Sequence, residues 1–526
     1  MYFRPPRGLS TMTRTFVVGL DGASWLLTEP WIEEGLLPNL AALRESGTYA
    51  TSRSCLPPVT YPNWKCYSSG KNPGKHSVYW WERIDLADER IDIMSGSDYR
   101  TAELWDYLNA AGQRAGVVNM PSMYPPREID GYVVSGGPDA VEGEYRSLDS
   151  GYTHPPAFED DLADRYDYRV HPDPLLSSND ERGAEVEEIL RLLDLRFEVA
   201  RDLFVEEGLG FTHVTLFYLN VLHHFFWDDE PTRRAWQLVD EWLGDLRELD
   251  DTNLVVMSDH GAAATTTEFY VNEWLAENGY LTRASGVEDY FQRVGLTREN
   301  ALAVAKRFGI VDVLAETVPQ RVQELVPQSA GAKRERKMEL VVPAETKALA
   351  SGQGPIYLNP RFDVESVRED LIADLEAVTD DDGEPLFTGV YRAEEVYDGP
   401  YVDIGPDVVV DQRPGVHVND GMGGDAVQTE PDRWAAENTP TGIFVADGPD
   451  FRSRGGISEI DIRDIAPTVL AAHGVDTPTD MDGEVLDIFA EDPDVGTQTP
   501  IDHEAARTGG PGDEVADRLT ELGYME

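Results

Sequence analysis

Four side chains in this sequence carry reactive groups directly after runs that read as strands. Asp21 closes Thr15-Phe16-Val17-Val18-Gly19-Leu20, and Asp259 with His260 follows the apolar run Leu254 to Met257. Thr60 sits in a proline-flanked turn, Pro57-Pro58-Val59-Thr60-Tyr61-Pro62, after a short strand from Thr48 to Cys55. Two carboxylates, one imidazole and one hydroxyl are donors enough to hold a divalent cation. A hydroxyl bound to such a cation has its pKa lowered and becomes a nucleophile near neutral pH. Amides at a neighbouring helix N-terminus hold an anion. This is the chemistry of phosphoryl or sulfuryl transfer. Each residue alone also has an ordinary reading: a turn acid for Asp21, a helix N-cap for Thr60.

The elements that would position these groups alternate. Helical patterns at Leu36–Gly47, Thr101–Ala111, Glu185–Glu207 and Thr232–Leu249 separate strand-like runs at Ala115–Met120, Val133–Val134, Thr212–Leu219 and Leu254–Met257. Pro62 favours the first turn of a helix running to about Ser69. Such alternation predicts an α/β fold with a mainly parallel central sheet sandwiched by helices, and ligands in such sheets bind at the strands' carboxyl ends. Residues 280–340 break the pattern and read as a helical cap or insertion, with the basic cluster Lys333-Arg334-Glu335-Arg336-Lys337 taken as a solvated face. The strand–helix pattern resumes with Pro355–Leu358, Val364–Val378, Asp407–Val410, Gly442–Ala446 and Ile462–Ala472. The expected organisation is an extension over 1–14, a catalytic core over 15–279 and 341–490, the cap over 280–340, and an acidic linker with a short helix over 491–526. Translation starts at Met1 or at Met12.

Composition narrows the partners. The 526 residues include 98 Asp+Glu against 44 Lys+Arg, a formal net charge of −54. Such charge repels nucleic acid polymers and anionic membranes. With 41% hydrophobic residues and 11 Trp the chain is nevertheless a folded one. A folded body with this carboxylate surface reads as a halophilic protein, its self-repulsion screened by salt. The two cysteines, Cys55 and Cys66, form no disulfide framework, so a reduced, cytoplasmic setting is the expectation. No apolar run approaches the roughly 18 residues of a membrane span.

Taken together, Gly19-Leu20-Asp21-Gly22, Pro58-Val59-Thr60-Tyr61-Pro62-Asn63, Gly70-Lys71-Asn72-Pro73-Gly74-Lys75-His76 and Ser258-Asp259-His260-Gly261 resemble the alkaline phosphatase superfamily. The branch they resemble is that of the type I phosphodiesterases and nucleotide pyrophosphatases. Asp464-Ile465-Ala466-Pro467-Thr468 and Met481-Asp482-Gly483 add to the likeness. The resemblance implies an alkaline phosphatase-like fold and two metal sites bridged by a substrate phosphate. It implies that Asp21, Thr60, Asp259 and His260 form one site, with Thr60 as nucleophile. It places the other at Asn220, His224 and Asn438, where the family carries Asp, His and His. An amide brings a carbonyl oxygen but no charge and cannot replace imidazole at zinc. The expectation is one well-formed site for Zn, Mn, Mg or Ca and one depleted site, for which His223, His417, Lys65 or Lys75 could compensate.

Asn63, Lys65 and Trp81 are further candidates for contact with substrate; Trp81 stands where relatives carry a phosphate-binding Asn. The function implied is metal-dependent hydrolysis of a small phosphodiester or pyrophosphate through a phosphothreonine. Two alternatives stay open: transfer of the group to a sugar or lipid acceptor, or a non-catalytic relative that keeps one metal site. A sulfatase fits less well, since it needs Cys or Ser at the position of Thr60.

Overall fold

The computed structural model describes residues 13–139, 148, 150–172, 183–284, 337–338, 340–422, 425–429 and 434–502. The N-terminal extension to residue 12, most of the expected cap and the helix expected near the C-terminus lie outside the described residues.

The strand Arg14–Gly19 lies near the middle of a ten-stranded sheet. It pairs in parallel with Phe211–Thr215 on one side and Thr252–Met257 on the other. Ala115–Val118 and Gly131–Val134 extend the parallel part. Beyond Thr252–Met257 the pairing turns antiparallel, first to Thr441–Asp447 and then to Thr48–Arg53. The expected mainly parallel sheet is therefore present, with antiparallel margins. In the central strand Phe16 and Val18 join the apolar core on one face, and Val17 joins that on the other. A strand covered on both faces has no polar side, so its sequence is a continuous apolar run. The helices Gly183–Glu206 and Glu230–Arg247 cover one face; Thr60–Ser69, Leu104–Ala110 and Ile465–Ala472 cover the other.

Two expectations are corrected here. The run Thr212–Leu219, β-branched and aromatic, reads as one strand. The strand instead ends at Thr215 and a helix, Phe217–Phe226, begins at once. Its side chains from Phe217 to His224 are all buried, so tertiary burial outweighs local preference. The strands Pro355–Leu358 and Val408–Gln412 do not continue the central sheet. They form a separate antiparallel sheet with Ala348–Ala350 and Phe387–Arg392, over an apolar core of its own.

Lys337 is likewise corrected from solvated to buried. Its ammonium group lies between Glu82 (2.6 Å) and Asp420, and Ser351 donates to the same Glu82 oxygen at 2.9 Å. Burial alone would lower the lysine's pKa; the charges of Asp420 and Glu82 overcome it and raise it. Just before it in space, Arg283 and Val341 form an antiparallel bridge, and Ala284 N–H donates to Leu340 at 2.9 Å. The described residues on either side of 285–336 are therefore joined to each other.

Candidate active site

Asp21 follows the central strand, Asp259 and His260 follow its neighbour Thr252–Met257, and Thr60 opens the helix Thr60–Ser69. The register that aligns Gly19 with Met257 brings the two strand ends level. All four side chains are fully buried. Thr60 Oγ1 lies 3.4 Å from Asp21 Oδ1 and 3.3 Å from His260 Nε2. His260 Nε2 lies 3.3 Å from Asp259 Oδ2 and 3.6 Å from Asp21 Oδ1. Among the described residues, Asp21, Asp259 and His260 are the one group of three such side chains whose donor atoms lie within 4.8 Å of one another.

The protons around this point can be counted. His260 Nδ1 faces the Gly261 carbonyl at 2.9 Å. A carbonyl only accepts, so Nδ1 carries the hydrogen and Nε2 presents a lone pair. Burial lowers the His260 pKa to about 4, so the ring is neutral near pH 7. Nε2, Asp21 Oδ1 and Asp259 Oδ2 thus converge on one place, with the Thr60 hydroxyl in reach of the first two. Burial raises both carboxyl pKa values, and for Asp259 the charge of Asp21 raises it further. Asp259 Oδ2 is buried without a hydrogen-bond donor. A divalent cation fits such a set, two carboxylates, an imidazole nitrogen and a hydroxyl oxygen, and would relieve its mutual repulsion.

The remaining oxygens are tied down. Gly22 N–H donates to Asp259 Oδ1 at 3.2 Å, and Trp64 Nε1–H donates to Asp21 Oδ2 at 3.0 Å. Asn220 also bonds to the Asp21 side chain, lowering its pKa against the effect of burial. Gly22 has φ +67°, and a Cβ there would stand 2.2 Å from Asn220 Oδ1. Glycine is required on both counts.

Of the second expected set, Asn220 and Asn438 meet directly: Asn220 Nδ2 donates to Asn438 Oδ1 at 3.4 Å. Ala262 pairs with Asn438 across the antiparallel strands Gly261–Ala264 and Ala436–Thr439. This ribbon ties the Asn438 segment to the strand that follows His260. His224 is one helical turn beyond Asn220. Its Nδ1 donates to the Ala436 carbonyl at 2.8 Å, and its ring stacks on Trp434 with centroids 4.0 Å apart.

The groups that could compensate are committed elsewhere. His223 accepts from Trp236 Nε1 at 3.0 Å. His417 is paired through Nδ1 with buried Glu437; burial would raise that carboxyl, but His417 overcomes it and holds its pKa down. Lys75 pairs with Asp482.

The three substrate candidates have partners within the protein. Asn63 Oδ1 accepts from Cys55 N–H at 2.8 Å, while Nδ2 donates to the Pro57 and Val59 carbonyls at 2.9 Å; the amide braces the turn before Thr60. Lys65 is buried in an ion pair with Glu103 at 2.8 Å, over the ring of Tyr99. Trp81 is buried and stacks flat on Tyr61, centroids 4.5 Å apart. Sequence reasoning missed Trp64, although its spacing of four from Thr60 put both on one helix face.

Comparison with known proteins gives a family and a fold. The family model described as type I phosphodiesterase / nucleotide pyrophosphatase matches residues 15–439. No curated protein matches the sequence. Among solved structures, phosphonoacetate hydrolase from Sinorhizobium meliloti 1021 in complex with phosphonoacetate superposes with a TM-score of 0.53 at 16% identity, over 88% of this chain and 96% of that one. Its complex with phosphonoformate gives 0.52 at 15% identity, over the same shares. Murine ectonucleotide pyrophosphatase / phosphodiesterase 5 follows with 0.48 at 14% identity, over 91% of this chain and all of that one.

Proposed function

Because the chain belongs to the type I phosphodiesterase / nucleotide pyrophosphatase family, we propose that it is a phosphoric-ester hydrolase that uses Thr60 as nucleophile at a single divalent-cation site. Asp21, Asp259 and His260 would hold the ion, with Thr60 Oγ beside it. The observation that carries this reading is the fully buried cluster of Asp21, Asp259 and His260, with the Thr60 hydroxyl beside Asp21 Oδ1 and His260 Nε2. When bound, the ion supplies charge that lowers the hydroxyl pKa and offsets charge on the phosphoryl oxygens.

The residues then divide the work. Thr60 Oγ forms the new bond to phosphorus as the ester oxygen leaves, and the enzyme carries a phosphothreonine. Water attacks that phosphorus and restores the hydroxyl. Asn63 braces the turn before Thr60, and the Asp21 and Asp259 carboxylates keep their fixed orientation through Trp64 and Gly22. The facing pair Asn220–Asn438 offers amide N–H and C=O groups to a phosphoryl oxygen or to water, rather than a second charge. A phosphodiester or pyrophosphate of small size is the substrate class, as a chain of this net charge is ill suited to a polyanion.

Turnover of bis(4-nitrophenyl) phosphate in concentrated KCl with Mn²⁺ or Zn²⁺ tests the reading. Thr60→Ala should lose about a thousandfold or more in rate while still binding the ion. Activity of that variant at the wild-type level would overturn the threonine mechanism. Release of 4-nitrophenol with the phosphoryl group appearing on an added alcohol, rather than in water, would reassign the chain as a transferase.

A further inference from the structure

Resting on the reading of Asp21, Asp259 and His260 as a cation site, we propose that Trp64 is a positioning residue that fixes Asp21 as a one-oxygen ligand and so sets which cation the site prefers. Asp21 has two oxygens with different surroundings. Oδ2 accepts the indole N–H of Trp64 at 3.0 Å. Oδ1 is the oxygen that faces Thr60 Oγ1 and His260 Nε2, at 3.4 and 3.6 Å. The indole therefore decides which oxygen is presented and hinders the carboxylate from turning both toward an ion.

The indole itself cannot swing away. It is fully buried, with its ring edge-on to Tyr67 and to His213 at centroid distances of 6.1 and 5.6 Å. It fills the space left open by Gly19, where a Cβ would stand 2.6 Å from the ring. Trp64 and Thr60 lie one turn apart on the same helix. One rigid side chain thus registers the nucleophile's helix against the strand that carries Asp21.

The preference follows from coordination chemistry. Zn²⁺ takes few ligands at short distance, and a single well-aimed carboxylate oxygen suits it. Ca²⁺ takes six to eight oxygens and gains from a carboxylate that binds through both. A locked one-oxygen Asp21 favours the smaller ion. Loss of a group that orients a ligand typically costs about 10–100-fold in metal affinity.

Isothermal titration of the metal-free full chain with Zn²⁺, and separately with Ca²⁺, at fixed pH and high KCl reads this without any substrate. Trp64→Phe removes the N–H and keeps an aromatic ring. Replacement of Trp64 by β-(3-benzothienyl)alanine exchanges the N–H for sulfur and keeps the full ring shape, which guards against a folding defect in the first variant. Both should weaken Zn²⁺ at least about tenfold and leave Ca²⁺ unchanged or tighter. Zn²⁺ affinity at the wild-type level in the sulfur isostere would overturn the inference and leave the proposed site standing. A parallel loss for both ions would overturn the claim of preference. Absence of binding by the wild type would overturn the site itself.

Discussion

Asp21 and Asp259 hold their protons more tightly in the folded chain than out of it, because burial disfavours their charge. For Asp21 the rise is from 3.8 to about 8. Between those values the folded state keeps a proton that the unfolded state has released. Stability of the metal-free protein therefore falls as pH rises through that window, by at most about 1.4 kcal/mol per pH unit for one such group. Thermal unfolding after chelation, compared at pH 5 and pH 8, should show a steeper loss for the wild type than for Asp21→Asn, which has no proton to release. Equal slopes would sink this account of the pair. Excess Zn²⁺ should flatten the wild-type slope, since the ion replaces the proton that neutralises the carboxylates.

At the level of elements, the contact most exposed to a single change is the buried Lys337 between Glu82 and Asp420. It joins the chain just after residue 336 to the strand Glu82–Asp85 and to the turn after Val416–Asn419. Lys337→Met leaves two buried carboxylates without their cation and should cost about 3–5 kcal/mol, read as a lower urea midpoint. Adding Glu82→Gln should recover part of that loss, because the two changes share one interaction. Equal midpoints for wild type and Lys337→Met would show the pair to be unimportant.

The same residue marks where sequence reading stops. Asp21, Asp259 and His260 were legible because each ends a buried strand, and strand ends of a parallel sheet share one rim. Lys337 was not, since a basic cluster in an acidic chain looks solvated until Glu82 and Asp420 arrive from distant segments. The partners of Asn63 and Lys65 were hidden for a similar reason, since Cys55, Pro57 and Glu103 come from outside their helix. The start of the helix Phe217–Phe226, as far as Leu219, was read as strand because its aromatic composition reports burial, not backbone shape.

For the whole molecule, charge decides the working conditions. A net charge of −54 acts over about 10 Å at 0.1 M salt and about 3 Å at 1 M. The unfolding temperature should rise by about 5 °C or more between 0.1 M and 2 M KCl; an unchanged temperature would remove the halophilic reading. Neither part of the fold has a described helix long and apolar enough to cross a membrane. The paired ends at Arg283–Val341 and Ala284–Leu340 carry one more consequence. Residues 283–284 and 340–341 hold each other in register, so the chain on either side of 285–336 is anchored to one and the same apolar core.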